Sequence, residues 1–267
     1  MSPPRVWPVF AAYLFAFIAI VGFSVVAVVL LREALPGMSE REVFDGLPGL
    51  LAGGVASSLA LLVTMLVVAR PVEPARLRLV PGRETGAQLA AMIFGTLALG
   101  QALDSATMLA GLGNRGAMAT IRRALEGAAG SELFAAVVVI GILAGSAEEI
   151  FFRGYMQTRL GECWPAAVAV VVTSLAFGLL HLEWIHAALA VGLGLWLGFI
   201  TERAGSALPA VAGHVINNVV FTLLTATLGT IHDRAINVRL LAISTVIFGG
   251  CLFRISRMPI AAPEPKA

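Results

Sequence analysis

The sequence predicts an all-α membrane protein, a polytopic membrane helix bundle of about eight transmembrane helices around a polar intramembrane cavity. Three observations lead there. Of 267 residues, 58% are hydrophobic and 13% charged, whereas soluble domains carry about 25% charged residues; mean hydropathy is +0.91. Apolar runs recur along the chain, with most charges collected between them. A few ionisable side chains nevertheless fall inside the runs. Each costs about 2.5–3.5 kcal/mol at mid-bilayer, even on a lenient insertion scale, unless it faces protein or trapped water.

A crossing helix needs about 20 apolar residues. Eight runs reach or approach that length: 9–31, 47–68, 87–112, 133–154, 165–182, 185–200, 208–228 and 240–253. The first exceeds the roughly 7–15 apolar residues of a signal peptide, so it is read as a retained first transmembrane helix. Arg70, Arg76, Arg78 and Arg83 then occupy a Pro-rich loop. Segments 33–45 and 117–128 mix apolar and charged residues at helical spacing. They fit helices lying flat on the membrane or ordinary connecting helices. The tail, with Arg254, Arg257 and Lys266, ends in AAPEPKA, too polar and Pro-rich to pack.

With eight passes, eleven basic residues fall on one side and seven on the other. The bias places both termini in the cytoplasm. A net charge of +2 gives no electrostatic footprint for nucleic acid; the partners expected from composition are membrane lipids. Short loops and an Ala/Arg-rich composition are read as bacterial, and the location as the plasma membrane. Cys163 and Cys251 sit in or beside apolar runs and are expected to be inert thiols. The division expected is 1–130 for N-terminal helices and interfacial loops, 131–228 for the core that carries the polar residues described next, and 229–267 for a last helix and tail.

The chemistry gathers in the C-terminal half. Glu148, Glu149 and Arg153 are the only full charges in the run 133–154. Residues four apart share a helix face, so Glu149 and Arg153 can pair while Glu148 points about 100° away. A carboxylate in an apolar cavity is suited to accept and return protons; the bland alternative is a helix-end salt bridge reaching the headgroups. Next come Phe177 and His181, then His214 and Asn218, each pair one helical turn apart. Singly, these histidines and the asparagine fit hydrogen-bonded core residues or interhelical glue. Asp104 is isolated and reads as an interhelical hydrogen-bonding residue. Together, a carboxylate and a histidine can activate water, and a second histidine with an amide can donate to an oxyanion.

Other chemistries lack their residues. There is no H-E-x-x-H zinc signature. His181 and His186 superficially resemble one, but five residues of unbroken helix would separate their imidazoles by about 140°. No G-x-S-x-G elbow supports a serine nucleophile.

The ordered set Glu148-Glu149-Ile-Phe-Phe-Arg153, Phe177-Gly-Leu-Leu-His181 and His214-Val-Ile-Asn-Asn218 resembles the CAAX-protease and bacteriocin-processing (CPBP, or ABI) family of intramembrane endopeptidases. The resemblance spans roughly residues 133–225. It implies Glu148 as the general base acting with His181, His214 and Asn218 as the oxyanion-stabilising pair, and Glu149, Arg153 and Phe177 as site-organising residues. The substrate it implies is a membrane-associated or lipidated peptide or protein, and the favoured mechanism is metal-free, without a cofactor. The alternative is a divalent metal such as zinc, for which Glu148, His181 and His214 would supply three ligands. A non-catalytic scaffold or regulator on the same fold is the competing reading, followed by a proton-coupled transporter.

Overall fold

The computed structural model describes residues 5–259, all helix, turn and loop with no strand among them. The basic tail end expected to remain unpacked, including Lys266, lies outside the described residues. Ten helices follow in order: α1 (Trp7–Ala34), α2 (Glu40–Asp45), α3 (Leu47–Val68), α4 (Gly86–Leu109) and α5 (Gly116–Leu125). Then come α6 (Gly130–Gly161), α7 (Ala166–Leu179), α8 (Trp184–Ala204), α9 (Leu208–Leu228) and α10 (Arg234–Ser256).

Their boundaries have local causes. Pro residues occupy the first turns of α1, α3 and α9, where the missing N–H is no loss. Ser39 with Glu42 and Thr85 with Gln88 form capping boxes for α2 and α4, satisfying otherwise orphaned backbone donors. Glu183 and Asp233 cap α8 and α10 through their carboxylates. Gly205 ends α8 in the left-handed conformation, which lacks a Cβ penalty only for glycine.

Among the described residues, seven helices are long and apolar enough to cross a membrane: α1, α3, α4, α6, α8, α9 and α10. The remaining expected span, 165–182, is a 14-residue helix, α7. At about 1.5 Å per residue it rises only about 21 Å, less than the roughly 30 Å hydrocarbon core. With its flanking residues it still connects elements at both ends of the bundle. Phe10 meets Trp164 near its start, and Glu183 lies against Gly116 of α5 beyond its end.

Contacts of this kind define two ends. One gathers Phe10, the loop around Arg78, Trp164, Arg203 and Met258: Ala207 N–H donates to the Arg78 carbonyl at 2.8 Å, and Arg203 Nη1 to the Met258 carbonyl at 2.6 Å. The other gathers α2, α5 and residues 229–233; here Gly127 N–H donates to the Ala226 carbonyl at 3.3 Å. The chain therefore passes between the ends eight times, one pass being short. The amphipathic segment expected at 117–128 is α5. It packs on α3, α8 and α9 at that second end, so it is a connecting helix covering the bundle.

Two apolar clusters hold the scaffold. Phe151, Phe152, Tyr155 and Met156 of α6 pack with Leu61, Met65 and Phe177. Met92, Trp196, Leu197, Ile200 and Ile255 join α4, α8 and α10. Trp196 Nε1–H donates to Thr96 Oγ1 at 3.0 Å, so the buried indole is satisfied.

Candidate active site

Helix α6 supplies the first group of polar residues from an irregular stretch. Val137–Ala144 and Ile150–Gln157 adopt π-type hydrogen bonding, and the α-helical turn Gly145–Glu149 lies between them. Such bulges recur at functional sites because they re-aim side chains within a continuous helix. Facing α9 are Gly141 and Gly145. A Cβ on Gly145 would sit 3.3 Å from Val215 Cα, and one on Gly141 would sit 2.6 Å from Val219 Cγ2. This G-x-x-x-G pair is a sequence signal for close helix approach that the pattern of polar residues does not include.

That approach brings Glu149 to His214. His214 Nδ1 lies 2.8 Å from Glu149 Oε1; a carboxylate oxygen only accepts, so the ring nitrogen carries the hydrogen. On its other side Glu149 forms an ion pair with Arg153, Nε to Oε2 3.2 Å, both side chains fully buried. Arg153 Nη2 donates to the Gly194 carbonyl at 3.2 Å, and its guanidinium lies 4.9 Å from the centre of the Phe177 ring. The i,i+4 spacing thus forms the expected Glu149–Arg153 pair, and Glu149 has a second partner the spacing did not reveal.

Glu148 turns away from that pair toward a cavity, its Oε2 lying 3.7 Å from His214 Nε2. No hydrogen bond joins Glu148 to His181 among the described residues. The two instead line the same space. Phe177 stands edge-on to both imidazoles, 5.0 Å from His181 and 6.0 Å from His214 between ring centres. Asn218 Nδ2 donates to the Ile140 carbonyl at 3.3 Å, and its Oδ1 accepts from Asn217 Nδ2 at 3.4 Å.

The cavity, of about 310 Å³, is lined by Glu148, His181, His214 and Asn218 with apolar walls that include Leu189, Leu193 and Phe221. It extends to α5 and residues 229–231 at the end of the bundle opposite the Arg78 loop. A second cavity of about 320 Å³ lies toward the glycine-rich start of α3 and meets the first at Glu148, His181 and His186. Asp104 also borders the first cavity. It is ion-paired to Arg122 of α5, in keeping with a structural reading.

Two expectations require correction. His181 does not lie on a span continuing to residue 182, because α7 stops at Leu179. Nor are His181 and His186 on one helix, since the turn 180–183 separates α7 from α8. Their rings meet at 4.1 Å between centres, so His186 belongs to the cavity and was missed in sequence. Glu183 shapes the turn: its carboxylate accepts from Ile185 N–H at 2.9 Å and His186 N–H at 3.0 Å. Those bonds, the Ile185 one foremost, hold its carboxyl below the usual carboxylate range. Glu148, His181 and His214, the three ligands of the zinc alternative, all line this cavity; among the described residues no group of three or more His, Cys, Asp or Glu is arranged to hold a metal ion.

Residues 130–220 match the family model described as type II CAAX prenyl endopeptidase Rce1-like. The match covers about a third of the chain, runs from the start of α6 into α9, and contains all three motifs. The resemblance drawn from those motifs therefore holds over this segment. No curated protein and no solved structure matches the chain.

Proposed function

We propose, on the premise that residues 130–220 are a CPBP-family segment of the Rce1-like type, that this multi-pass membrane protein is an intramembrane endopeptidase. Its substrate is a peptide bond in a membrane-associated or prenylated peptide or protein. One observation carries the reading: Glu148, His181, His214 and Asn218, drawn from three separated stretches, all line one cavity within the helix bundle. A volume of about 310 Å³ is at the lower end of small-ligand sites, and the Leu189, Leu193 and Phe221 wall suits an apolar chain.

The mechanism follows from which atoms are free. Glu148 has no cation bound to it at hydrogen-bond distance, so its carboxylate is available to take a proton from water. His181 Nδ1 lies 2.9 Å from the Phe177 carbonyl; a carbonyl cannot donate, so this nitrogen holds the hydrogen and Nε2 presents a lone pair to the same water. The resulting hydroxide adds to the scissile carbonyl, Glu148 returns its proton to the departing amine, and the C–N bond breaks.

Stabilising the oxyanion falls to His214 and Asn218. Because His214 Nδ1–H is committed to Glu149, Nε2 can donate only when the ring is doubly protonated. In that form His214 faces both carboxylates, Glu149 at 2.8 Å and Glu148 at 3.7 Å, whose opposite charge favours it. Asn218 gives one amide hydrogen to Ile140 and retains the other for the substrate.

The test compares purified wild type, Glu148→Ala and His181→Ala on farnesylated CAAX peptides and their unlipidated forms. The expected result is cleavage by wild type and loss on the order of 10²–10⁴-fold in each variant. Undiminished cleavage in both variants sinks the assignment. Selective cleavage of the farnesylated forms would identify the apolar wall as an isoprenoid site; equal cleavage would assign the peptide alone as the substrate.

A further inference from the structure

We infer that His186 is a positioning residue for His181, fixing the direction in which its Nε2 lone pair points. The His181 ring is restrained from three directions. Its Nδ1 is tied to the Phe177 carbonyl at 2.9 Å, and the Phe177 ring stands against it at 5.0 Å and 88°. His186 contributes the third contact, at 4.1 Å between centres and 61° between planes. Phe177 is itself immobilised by Phe152, 5.1 Å away, and by the Arg153 guanidinium above it. Without His186, the His181 imidazole has packing on one side only and can swing toward the cavity, breaking the Nδ1 bond that defines its tautomer.

The turn is built to make this contact. Leu182 takes φ 57°, a left-handed conformation unfavourable for a bulky side chain, and its side chain is mostly exposed, so apolar packing does not account for it. Glu183 then accepts both the Ile185 and His186 backbone hydrogens, fixing the first turn of α8. Together these reverse the chain within four residues and bring imidazoles five positions apart face to edge. The His186 ring makes no hydrogen bond among the described residues. Its location at the meeting point of both cavities places it beside His181, while the reacting water is assigned to Glu148 and His181.

Only the kinetic arm of the test rests on the protease reading. The chain has four histidines, so histidine-selective ¹⁵N labelling of the full protein in micelles resolves each ring. In wild type, His181 should appear as a single Nδ1–H tautomer; in His186→Ala it should become a mixture of tautomers. His186→Phe, which keeps a ring but no nitrogen, should restore the single form. With a quenched farnesylated CAAX peptide as probe, His186→Ala should lower kcat on the order of tenfold to a hundredfold. KM should stay within about twofold, and His186→Phe should recover most turnover. Adding His186→Ala to His181→Ala should cause no further loss. An unchanged His181 tautomer in His186→Ala overturns the inference, as does a His186→Phe variant as slow as His186→Ala. If wild type cleaves no peptide, the protease reading fails and the tautomer measurement still decides the role of His186.

Discussion

At the scale of single residues, adjacent glutamates have opposite circumstances. Glu149 is fully buried between Arg153 and His214, so its charge is structural capital that removal of either partner strands. Breaking such a buried pair typically costs about 3–5 kcal/mol. Arg153→Leu should therefore lower the thermal unfolding midpoint strongly in detergent. Glu148→Gln, at a side chain facing the cavity, should lower the midpoint far less than Arg153→Leu while turnover is lost. Equal melting of the two variants would contradict this division of labour. Much of it was legible beforehand: the i,i+4 spacing separates Glu148 from the Glu149–Arg153 face. The bond from Glu149 to His214 was not, because the residues are 65 positions apart and only the packing of α6 on α9 joins them.

At the scale of elements, the site depends on two devices, a close helix crossing and a tight turn. Gly141 and Gly145 permit the α6–α9 crossing; the side chains they lack would occupy the volume of Val219 and Val215. Gly145→Leu should force α9 outward, destabilise the protein by about 1–3 kcal/mol through overpacking and separate Glu149 from His214. The combined readout is melting temperature and peptide cleavage. A Gly145→Leu protein with wild-type values of both would show that the crossing has slack. The turn 180–183 shows why periodicity misled at His186. A rule for angular separation on a helix fails once the helix ends, and here α7 ends two residues before His181.

At the scale of the whole molecule, the eight passes put Phe10, the Arg78 loop, Trp164, Arg203 and Met258 at one end and α5 with residues 229–233 at the other. The expected basic bias weakens slightly, because Arg153 is buried in the bundle rather than at an end. On that expectation the Arg78 end faces the cytoplasm, and we propose that the cavity extends toward the opposite face. Single cysteines at Arg76 and at Thr230, introduced into a chain lacking Cys163 and Cys251, should label from opposite sides of sealed vesicles with a membrane-impermeant thiol reagent. Labelling of both from the same side would overturn the eight-pass arrangement. Labelling of Thr230 from the cytoplasmic side alone would preserve the arrangement and reverse its orientation.

Hydrophobic run length and the energetic penalty on buried charge act locally along the chain. They sufficed to determine an all-helical membrane bundle, the approximate place of each span, and the three polar groups worth attention; helix α6 runs to Gly161 and α10 begins at Arg234, several residues beyond the apolar runs. The partner of each polar group was decided only in three dimensions. Glu149 reaches His214 because glycines let two helices touch, and His186 meets His181 because the helix breaks at a capped turn. Both are contacts between elements, and such contacts depend on packing distances and chain reversals that no single helix's periodicity encodes.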